Sequence, residues 1–283
     1  MKTPPRLQPL LDEGLIDDVL YALMSGKEAS VYVVRCGERI CCAKVYKDAA
    51  QRSFKKAAQY QEGRKERSSR RARAMEKGSG YGRQQAEASW QSAEVDALFK
   101  LAAAGVRVPT PYGCYDGVLL MELVRDADGD VAPRLNDISL SAEQARRDHQ
   151  TMMQAILRML AAGLVHGDLS EFNVLKDATG PVIIDLPQAV DAAANNNARW
   201  MLTRDVDNIT AYYARFAPEL ASTRYADELW DLFEAGNLDP NQTLTGVFSK
   251  TAAAVDLDAV LQEIQAASDE AAARRERQQH PSD

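Results

Sequence analysis

The sequence predicts an α+β protein with two lobes, a small β-rich first lobe and a compact, mainly helical second lobe. Two patterns lead to this prediction. β-like runs and a tight turn dominate the first half of the chain, and helical patterns dominate the second half. The 283 residues, 46% of them hydrophobic, are enough for two modest lobes with a buried core. The same composition argues against wholesale disorder.

The first lobe is predicted to span residues 25–125, after an N-terminal extension or helix at residues 1–24. Its clearest element is an antiparallel hairpin. Two β-like runs, residues 29–35 and 39–46, flank a short turn that contains Gly37. Glycine supplies the positive φ that such a tight turn needs.

Residues 51–90, called the basic segment below, have a different character. They hold eleven Lys and Arg against four Glu, a net charge of +7, which leaves −14 for the rest of a chain whose total is −7. The segment lacks a steady apolar stripe, and three glycines interrupt its end. We therefore expect it to be a flexible loop with local helix at most.

Order is predicted to return with a helix over residues 89–104, which carries an apolar face and is ended by Gly105. A connection with two prolines at 108–111 then leads to a strand at 118–124. The polar turn that follows marks the end of the first lobe.

The second lobe is predicted at residues 126–253. Its first helix has a capping box at Ser141 and Gln144, an apolar stripe, and Gly163 to end it. Short strands follow at 174–175 and 182–184, and the chain is helical in pattern from about residue 198. Residues 254–283 are assigned to a C-terminal helix and tail.

Composition excludes several classes of protein. The longest apolar runs are far shorter than the roughly 20 residues of a membrane span, and the N-terminus lacks the apolar stretch of a secretory signal, so we expect a cytoplasmic protein without membrane contact. The four cysteines have no C-x-x-C spacing, and the three histidines are not spaced as ligands on one helix face. A catalytic metal would then be held by oxygen atoms, which favours Mg²⁺ or Mn²⁺.

The most informative motif is the segment 166–173, which reads His-Gly-Asp-Leu-Ser-Glu-Phe-Asn, followed after a short strand by Asp185. Phosphoryl transfer needs one aspartate to orient the attacking hydroxyl, here Asp168, and an amide and a second carboxylate to hold the metal, here Asn173 and Asp185. The spacing matches the catalytic loop of kinases. An ordinary Asx-rich turn is the structural alternative for this motif alone.

Lys44 stands among apolar residues of the second β-like run. A half-buried lysine is unfavourable unless it meets an anion, and the phosphates of a nucleotide would supply one. An edge-strand lysine that prevents aggregation is the alternative. Glu94 is our preferred partner for Lys44, because Glu87 precedes the strongly apolar part of the helix.

In this combination of motifs, the chain resembles the RIO-type atypical serine/threonine protein kinases. The resemblance covers residues 15–235 and implies a protein-kinase-like fold. It rests on the phosphate loop at 25–32, the lysine strand at 43–47, the helix start at 89–94, the hinge at 121–124, the catalytic loop at 166–173 and the metal loop at 185–188.

The resemblance implies a role for each matching residue. Asp168 is the catalytic aspartate, Asn173 and Asp185 are the metal ligands, and Lys44, paired with Glu94, binds phosphate. The remaining residues would bind ATP: Ser25, Gly26 and Lys27 in the phosphate loop, and Glu122 and Val124 through the backbone of the hinge.

Two features set the chain apart from ordinary protein kinases. The phosphate loop has the single glycine Gly26, and Leu-Pro follows Asp185 in place of Phe-Gly. Only 98 residues follow Asp185, and fewer than 30 precede Gly26. These features fit the shorter RIO type, without an N-terminal winged-helix domain, with limited action on outside substrates.

The resemblance implies an ATP- and magnesium-dependent (or manganese-dependent) kinase that phosphorylates serine, including its own; the protein substrate is unknown. The basic segment offers serines for this and could contact RNA, a ribosomal particle or an acidic partner; a merely solvated loop is the alternative. Two other functions stay open: a slow ATPase switch on a large assembly such as a ribosomal precursor, and a small-molecule phosphotransferase.

Overall fold

The computed structural model describes residues 3–26, 29–47 and 93–249. Several sequence predictions lie outside the described residues: Lys27 in the phosphate loop, Glu87 as the rival partner of Lys44, the basic segment, and the C-terminal helix and tail at 254–283. The descriptions below concern the unit that ends at Val247.

The first lobe is a five-stranded antiparallel sheet with the strand order β1-β2-β3-β5-β4. Its strands are β1 (Asp18–Ser25), β2 (Ala29–Cys36), β3 (Arg39–Tyr46), β4 (Pro111–Tyr115) and β5 (Val118–Glu122). The predicted hairpin is present as β2 and β3, paired without a bulge from Ala29 opposite Tyr46 to Cys36 opposite Arg39. Gly37 has a φ of 63° in the turn, as the sequence indicated.

The assignment of residues 1–24 to an extension or helix is corrected by the structure. Only Gln8–Asp12 forms an α-helix, α1, preceded by a 3-10 turn at Pro5–Leu7, whereas Asp18–Ser25 is the edge strand β1. The buried side chains Leu7, Leu10 and Ile16 pack on the sheet beside Val34 and Leu120. This part of the chain therefore belongs to the first lobe.

The helix predicted at 89–104 is described over residues 93–103 and is called α2. Its side chains Leu98 and Leu101 are buried, as the apolar stripe predicted. The predicted strand at 118–124 is β5, which ends at Glu122, and β4 before it was not predicted. The turn between β4 and β5 has positive φ at both Asp116 and Gly117, at 48° and 75°, which suits a two-residue hairpin turn.

The second lobe is built on α3 (Ala142–Ala161), α4 (Ala198–Ala214) and α5 (Tyr225–Glu234). The predicted capping box at the start of α3 is present, with reciprocal bonds between Ser141 and Gln144. Two small sheets lie between α3 and α4: β6 (Leu164–Val165) pairs with β9 (Val190–Asp191), and β7 (Val174–Lys176) pairs with β8 (Pro181–Ile183).

The main hydrophobic core fills the second lobe and extends to α2 and the end of β3. The α+β, two-lobed arrangement is therefore confirmed. None of the helices within the described ranges is long and apolar enough to cross a membrane.

Candidate active site

The two small sheets place the two predicted loops side by side. The catalytic loop, residues 166–173, runs from β6 to β7, and residues 184–189, which contain the metal loop 185–188, run from β8 to β9. Because β6 pairs with β9 and β7 pairs with β8, both ends of the two loops are tied together. Residues separated in the sequence thus meet at one edge of a cleft.

His166 connects the two loops at their base. The ring is buried; its Nε2 lies 3.1 Å from the carbonyl oxygen of Ile184, and its Nδ1 lies 3.3 Å from the backbone N–H of Asp168. This pair of contacts fits a neutral ring that donates to Ile184 and accepts from Asp168. Burial lowers the pKa of His166, which favours that neutral form.

Asp205 on α4 fixes the backbone of the catalytic loop, a role that the sequence analysis missed. Its carboxylate accepts hydrogen bonds from the N–H groups of Gly167 and Leu169, at 2.7 and 3.0 Å. Burial raises the pKa of Asp205, and the two N–H groups lower it. Burial is the larger effect, so the pKa is raised to about 7. A signal was available, because Asp205 lies one turn from each of the buried residues Met201 and Ile209 and so interrupts an apolar stripe.

Arg204 is a second residue that the sequence analysis missed. It donates to the carbonyl of Gly167, lies 4.0 Å from a carboxylate oxygen of Asp168, and is placed over the ring of Trp200 at 4.8 Å. The Asp168 side chain is 63% exposed, so a substrate hydroxyl can reach it. The guanidinium adds a fixed positive charge beside this carboxylate.

Asn173 closes the catalytic loop from its far end. Its Nδ2 donates to the carbonyl of Asp168 at 2.8 Å. The amide oxygen then remains as the atom that can bind a cation. Asn173, Asp168 and Asp185 all line the same cleft.

Lys44 on β3 meets Glu94, the partner that the sequence predicts, and also Asp185, a contact that the sequence analysis did not predict. Its Nζ lies 2.5 Å from Glu94 Oε1 on α2 and 3.1 Å from Asp185 Oδ1 in the metal loop. Only 12% of the Lys44 side chain and 5% of the Glu94 side chain are exposed. Burial alone would lower the pKa of Lys44, but the two carboxylates outweigh it and hold the pKa above its ordinary value.

Asp185 has an unusual backbone for a residue other than glycine, with a φ of 66°. Such left-handed conformations are unfavourable and occur often at functional sites. Burial would raise the pKa of Asp185, but the Lys44 ammonium outweighs it, and the pKa lies below its ordinary value. The side chain, 47% exposed, is therefore a carboxylate that faces the cleft.

The phosphate loop is described only in part. Gly26 lines the cleft, and its N–H donates to the carbonyl of Ala29. Lys47, which the sequence analysis did not single out, donates to the carbonyl of Gly26 at 2.6 Å and to Ser25 Oγ at 3.2 Å. Lys47 thus fixes the position of this loop from the end of β3.

The hinge residues Glu122 and Val124 also line the cleft. The N–H of Glu122 donates to the carbonyl of Thr110, and the carbonyl of Val124 accepts from the N–H of Ala132. Since these two groups are used within the protein, an adenine ring would meet the carbonyl of Glu122 and the N–H of Val124. The side chain of Glu122 is bound by Arg107, a contact that the sequence did not predict.

The cleft between these groups has a volume of about 630 Å³, within the range of small-molecule sites. Apolar side chains form much of its wall: Leu23, Val31, Leu119, Met121, Leu175 and Ile184. Among the described residues, no three His, Cys, Asp or Glu side chains are grouped to hold a metal ion. A cation in the cleft would depend on the oxygens of Asn173 and Asp185 and on those of a bound phosphate, a donor set that suits hard cations.

The site has the parts of a kinase-like phosphotransferase. One apolar cleft holds a Lys–Glu ion pair, an exposed aspartate and the oxygens of an asparagine and a second aspartate. A family profile described as the RIO domain matches residues 30–226, well over half of the chain. The chain therefore belongs to the RIO family of atypical serine/threonine protein kinases.

Individual relatives agree with this assignment. The RIO-type serine/threonine-protein kinase Rio1 of Haloferax volcanii is 33% identical over 207 residues, which cover 73% of this chain and 67% of the relative. The serine/threonine-protein kinases RIO1 of Chaetomium thermophilum and Homo sapiens are 30% and 29% identical, covering 76% of this chain in each case and 43% and 36% of the relatives. The matched region thus spans less than half of these two relatives. Among solved structures, the crystal structure of a kinase domain is similar with a TM-score of 0.45 at 13% identity, covering 72% of this chain and 65% of that chain.

Proposed function

We propose that the chain transfers the γ-phosphate of ATP to serine, its own serines included, with Mg²⁺ as the divalent cation. The observation that carries this proposal is the position of Lys44 Nζ, bonded to Glu94 and Asp185 in the cleft that Asp168 also lines. A buried ammonium held between two carboxylates is already placed for the phosphates of a nucleotide.

Each described residue then has a chemical task. Asp168 accepts the proton of the attacking hydroxyl, and Arg204 and Asp205 hold the loop that carries it. Asn173 and Asp185 would hold the cation, which neutralises phosphate charge when bound. These tasks need no residue from the basic segment.

The test uses the purified chain with γ-labelled ATP and either Mg²⁺ or Mn²⁺. Asp168→Asn keeps the shape of the side chain but removes the proton acceptor, so we expect transfer to slow by about a hundredfold or more. Asp185→Asn removes the charged ligand of the divalent cation, so we expect cation-supported transfer to be lost. Asp231→Asn, which alters an exposed aspartate on α5, is the matched control and should react like the wild type.

Near-normal transfer by Asp168→Asn or Asp185→Asn would contradict the proposal. The identity of the labelled residue tests it further. Phosphoserine resists hydroxylamine, whereas an acyl phosphate is cleaved by it, so we expect the label to survive this treatment.

A slow ATPase switch is the second candidate function. The observation that favours it is the exposure of Asp185, a carboxylate that faces the cleft with one oxygen bonded to Lys44. In this reaction a carboxylate oxygen bonds to the γ-phosphorus, the bond to the β-γ bridging oxygen breaks, ADP leaves, and water later hydrolyses the acyl phosphate. Label that hydroxylamine removes, in the absence of phosphoserine, would favour the switch.

We further propose that the basic segment contacts RNA, as in a ribosomal particle. The support is its charge, +7 within a chain whose remaining residues carry −14. Such local excess of Lys and Arg suits phosphate contacts.

A further inference from the structure

Arg107 lies in the loop that follows α2 and makes five hydrogen bonds. Its Nη1 and Nη2 bind the two carboxylate oxygens of Glu122 at 2.8 and 2.7 Å, and its Nε and Nη2 bind Asp177 Oδ2 at 3.2 and 2.8 Å. Nη1 also donates to the carbonyl of Val108 at 3.0 Å. A guanidinium has five N–H groups, so this side chain is fully engaged in one geometry.

The two carboxylates belong to parts of the chain that are far apart in sequence. Glu122 is the last residue of β5 and stands two residues before Val124 in the hinge. Asp177 lies in the turn between β7 and β8, where it also accepts from Thr179 and Gly180. Arg107 thus connects the hinge to the hairpin that leads into the metal loop.

The backbone of Arg107 makes the same connection. Its carbonyl accepts the N–H of Ile183 at 2.9 Å, and Ile183 stands two residues before Asp185. The Oε2 atom of Glu122, which accepts from Arg107, also accepts from the N–H and the hydroxyl of Thr110, at 2.9 and 3.0 Å. The side chain of the hinge residue therefore has one fixed position.

The charges support a persistent contact. Burial would raise the pKa of Glu122 and of Asp177, but Arg107 and the threonine hydrogen bonds outweigh it, and both pKa values lie below their ordinary range. The Asp177 side chain is only 8% exposed, so a fixed, charge-assisted contact is expected near neutral pH.

We infer that Arg107 is a positioning residue that sets recognition of the adenine ring, by holding the hinge backbone at Glu122 in a fixed place relative to the metal loop. The inference rests on the proposed function, since it assumes that the cleft binds an adenine nucleotide. Adenine offers an N–H₂ donor and a ring-nitrogen acceptor to the hinge carbonyl and N–H. Guanine offers an acceptor and a donor in the opposite order, so only an accurately placed hinge separates the two bases.

The experiment measures the dissociation constants of ADP and GDP by calorimetry for the wild type and for Arg107→Lys. Lysine keeps the positive charge, but its compact ammonium cannot bind both oxygens of Glu122 and also reach Asp177 in the same way. We expect the wild type to prefer ADP, and the ratio of the two dissociation constants to fall about tenfold in Arg107→Lys, the effect of one well-placed hydrogen bond.

Two further variants separate positioning from a general structural role. Asp177→Asn removes only the anchor on the side of the metal loop and should lower the ratio in the same direction. Arg146→Met removes the exposed ion pair with Glu219, in which each side chain is more than half exposed, and should leave the ratio unchanged. Thermal unfolding of each variant shows whether the fold is retained.

The outcomes distinguish the inference from the function on which it rests. If the wild type binds neither nucleotide, both fail. If the wild type prefers ADP and folded Arg107→Lys retains the full preference, or loses affinity for ADP and GDP by the same factor, the inference is wrong and the proposed function stands. If Arg107→Lys does not fold, the ratio in Asp177→Asn decides in the same way.

Discussion

Lys44 is a residue on which three parts of the fold converge. It stands on β3 and binds Glu94 on α2 and Asp185 in the metal loop. Lys44→Met removes the charge that would face the phosphates, so we expect phosphate transfer to fall by about 10²–10³-fold, a typical effect of losing one such donor. The measurement is the initial rate with labelled ATP at saturating concentration.

The control for this change is Lys100→Met, which removes an exposed lysine of the helix that carries Glu94. It should transfer phosphate at the rate of the wild type. Equal activity of Lys44→Met and Lys100→Met would show that the Lys44 contacts are structural only.

His149 on α3 gives a prediction on pH. The buried ring lies with Nε2 2.9 Å from the hydroxyl of Thr210, between the rings of Tyr213 and Tyr225. Burial lowers its pKa to about 4, whereas an unfolded histidine titrates near about 6.5. The unfolded chain therefore binds more protons between these values, and stability falls as the pH falls through this window.

The size of this effect is at most about 3 kcal/mol, because each pKa unit corresponds to about 1.4 kcal/mol. His149→Gln can keep a hydrogen bond to Thr210 but does not titrate. We expect its free energy of unfolding, measured by urea denaturation from pH 4 to 7, to depend less steeply on pH than that of the wild type. Parallel curves for the two proteins would contradict this account.

At the scale of elements, local signals determined which strands and helices could be predicted. The hairpin of β2 and β3 and the helix α3 have both a residue pattern and a turn or cap signal, and both are present as predicted. β1 was missed because its sequence lacks the alternation of apolar and polar residues that is typical of a half-buried strand. Most of its side chains are exposed, and two register shifts interrupt its pairing with β2. β4 was missed because it is short and begins at a proline, which weakens a strand prediction.

The start of α3 allows a quantitative test of its cap. Ser141 Oγ accepts the N–H of Gln144 at 3.2 Å, and the Gln144 side chain accepts the N–H of Ser141 at 3.0 Å. Ser141→Ala leaves an N–H at the helix start without its acceptor, so we expect a loss of about 1 kcal/mol in the free energy of unfolding. Chemical denaturation measures this value.

Ser222→Ala is the comparison for the cap. The Ser222 hydroxyl donates to the carbonyl of Glu219 in an exposed 3-10 turn. We expect a change within about 0.5 kcal/mol, as for most surface substitutions. A larger loss in Ser222→Ala than in Ser141→Ala would contradict the importance given to the capping box.

At the scale of the whole molecule, the sequence predicted which residue types form the site but not all of the residues that hold them. Lys44, Glu94, Asp168, Asn173 and Asp185 line one cleft. Strand pairing brings the catalytic and metal loops together, whereas Lys44 and Glu94 reach them only through the packing of separate elements. The contact of Arg107 with Glu122 and Asp177 spans 15 and 70 positions in sequence. No local pattern encodes such a contact, since it arises only when the hinge and the β7-β8 hairpin are packed against each other.

The division of charge along the chain leads to the last prediction. Arg70, Arg71 and Arg73 belong to the basic segment, and their replacement by glutamine removes three positive charges where we propose that RNA binds. The affinity of the wild type for single-stranded RNA should fall as salt rises, because bound phosphates release counterions. In the triple variant the slope of log K against log salt should be smaller in magnitude by up to about 0.7 for each lost contact.

The matched control replaces Arg146, Arg147 and Arg224 by glutamine. This removes the same total charge, but from exposed ion pairs with Glu219, Glu143 and Asp227. These contacts lie outside the basic segment, so we expect a slope close to that of the wild type. Because both variants have the same net charge, equal slopes in the two would assign RNA attraction to the charge of the whole molecule. Only a change confined to the variant of the basic segment supports a local RNA site, since RNA contacts depend on the positive charges at the interface and not on the average of the chain.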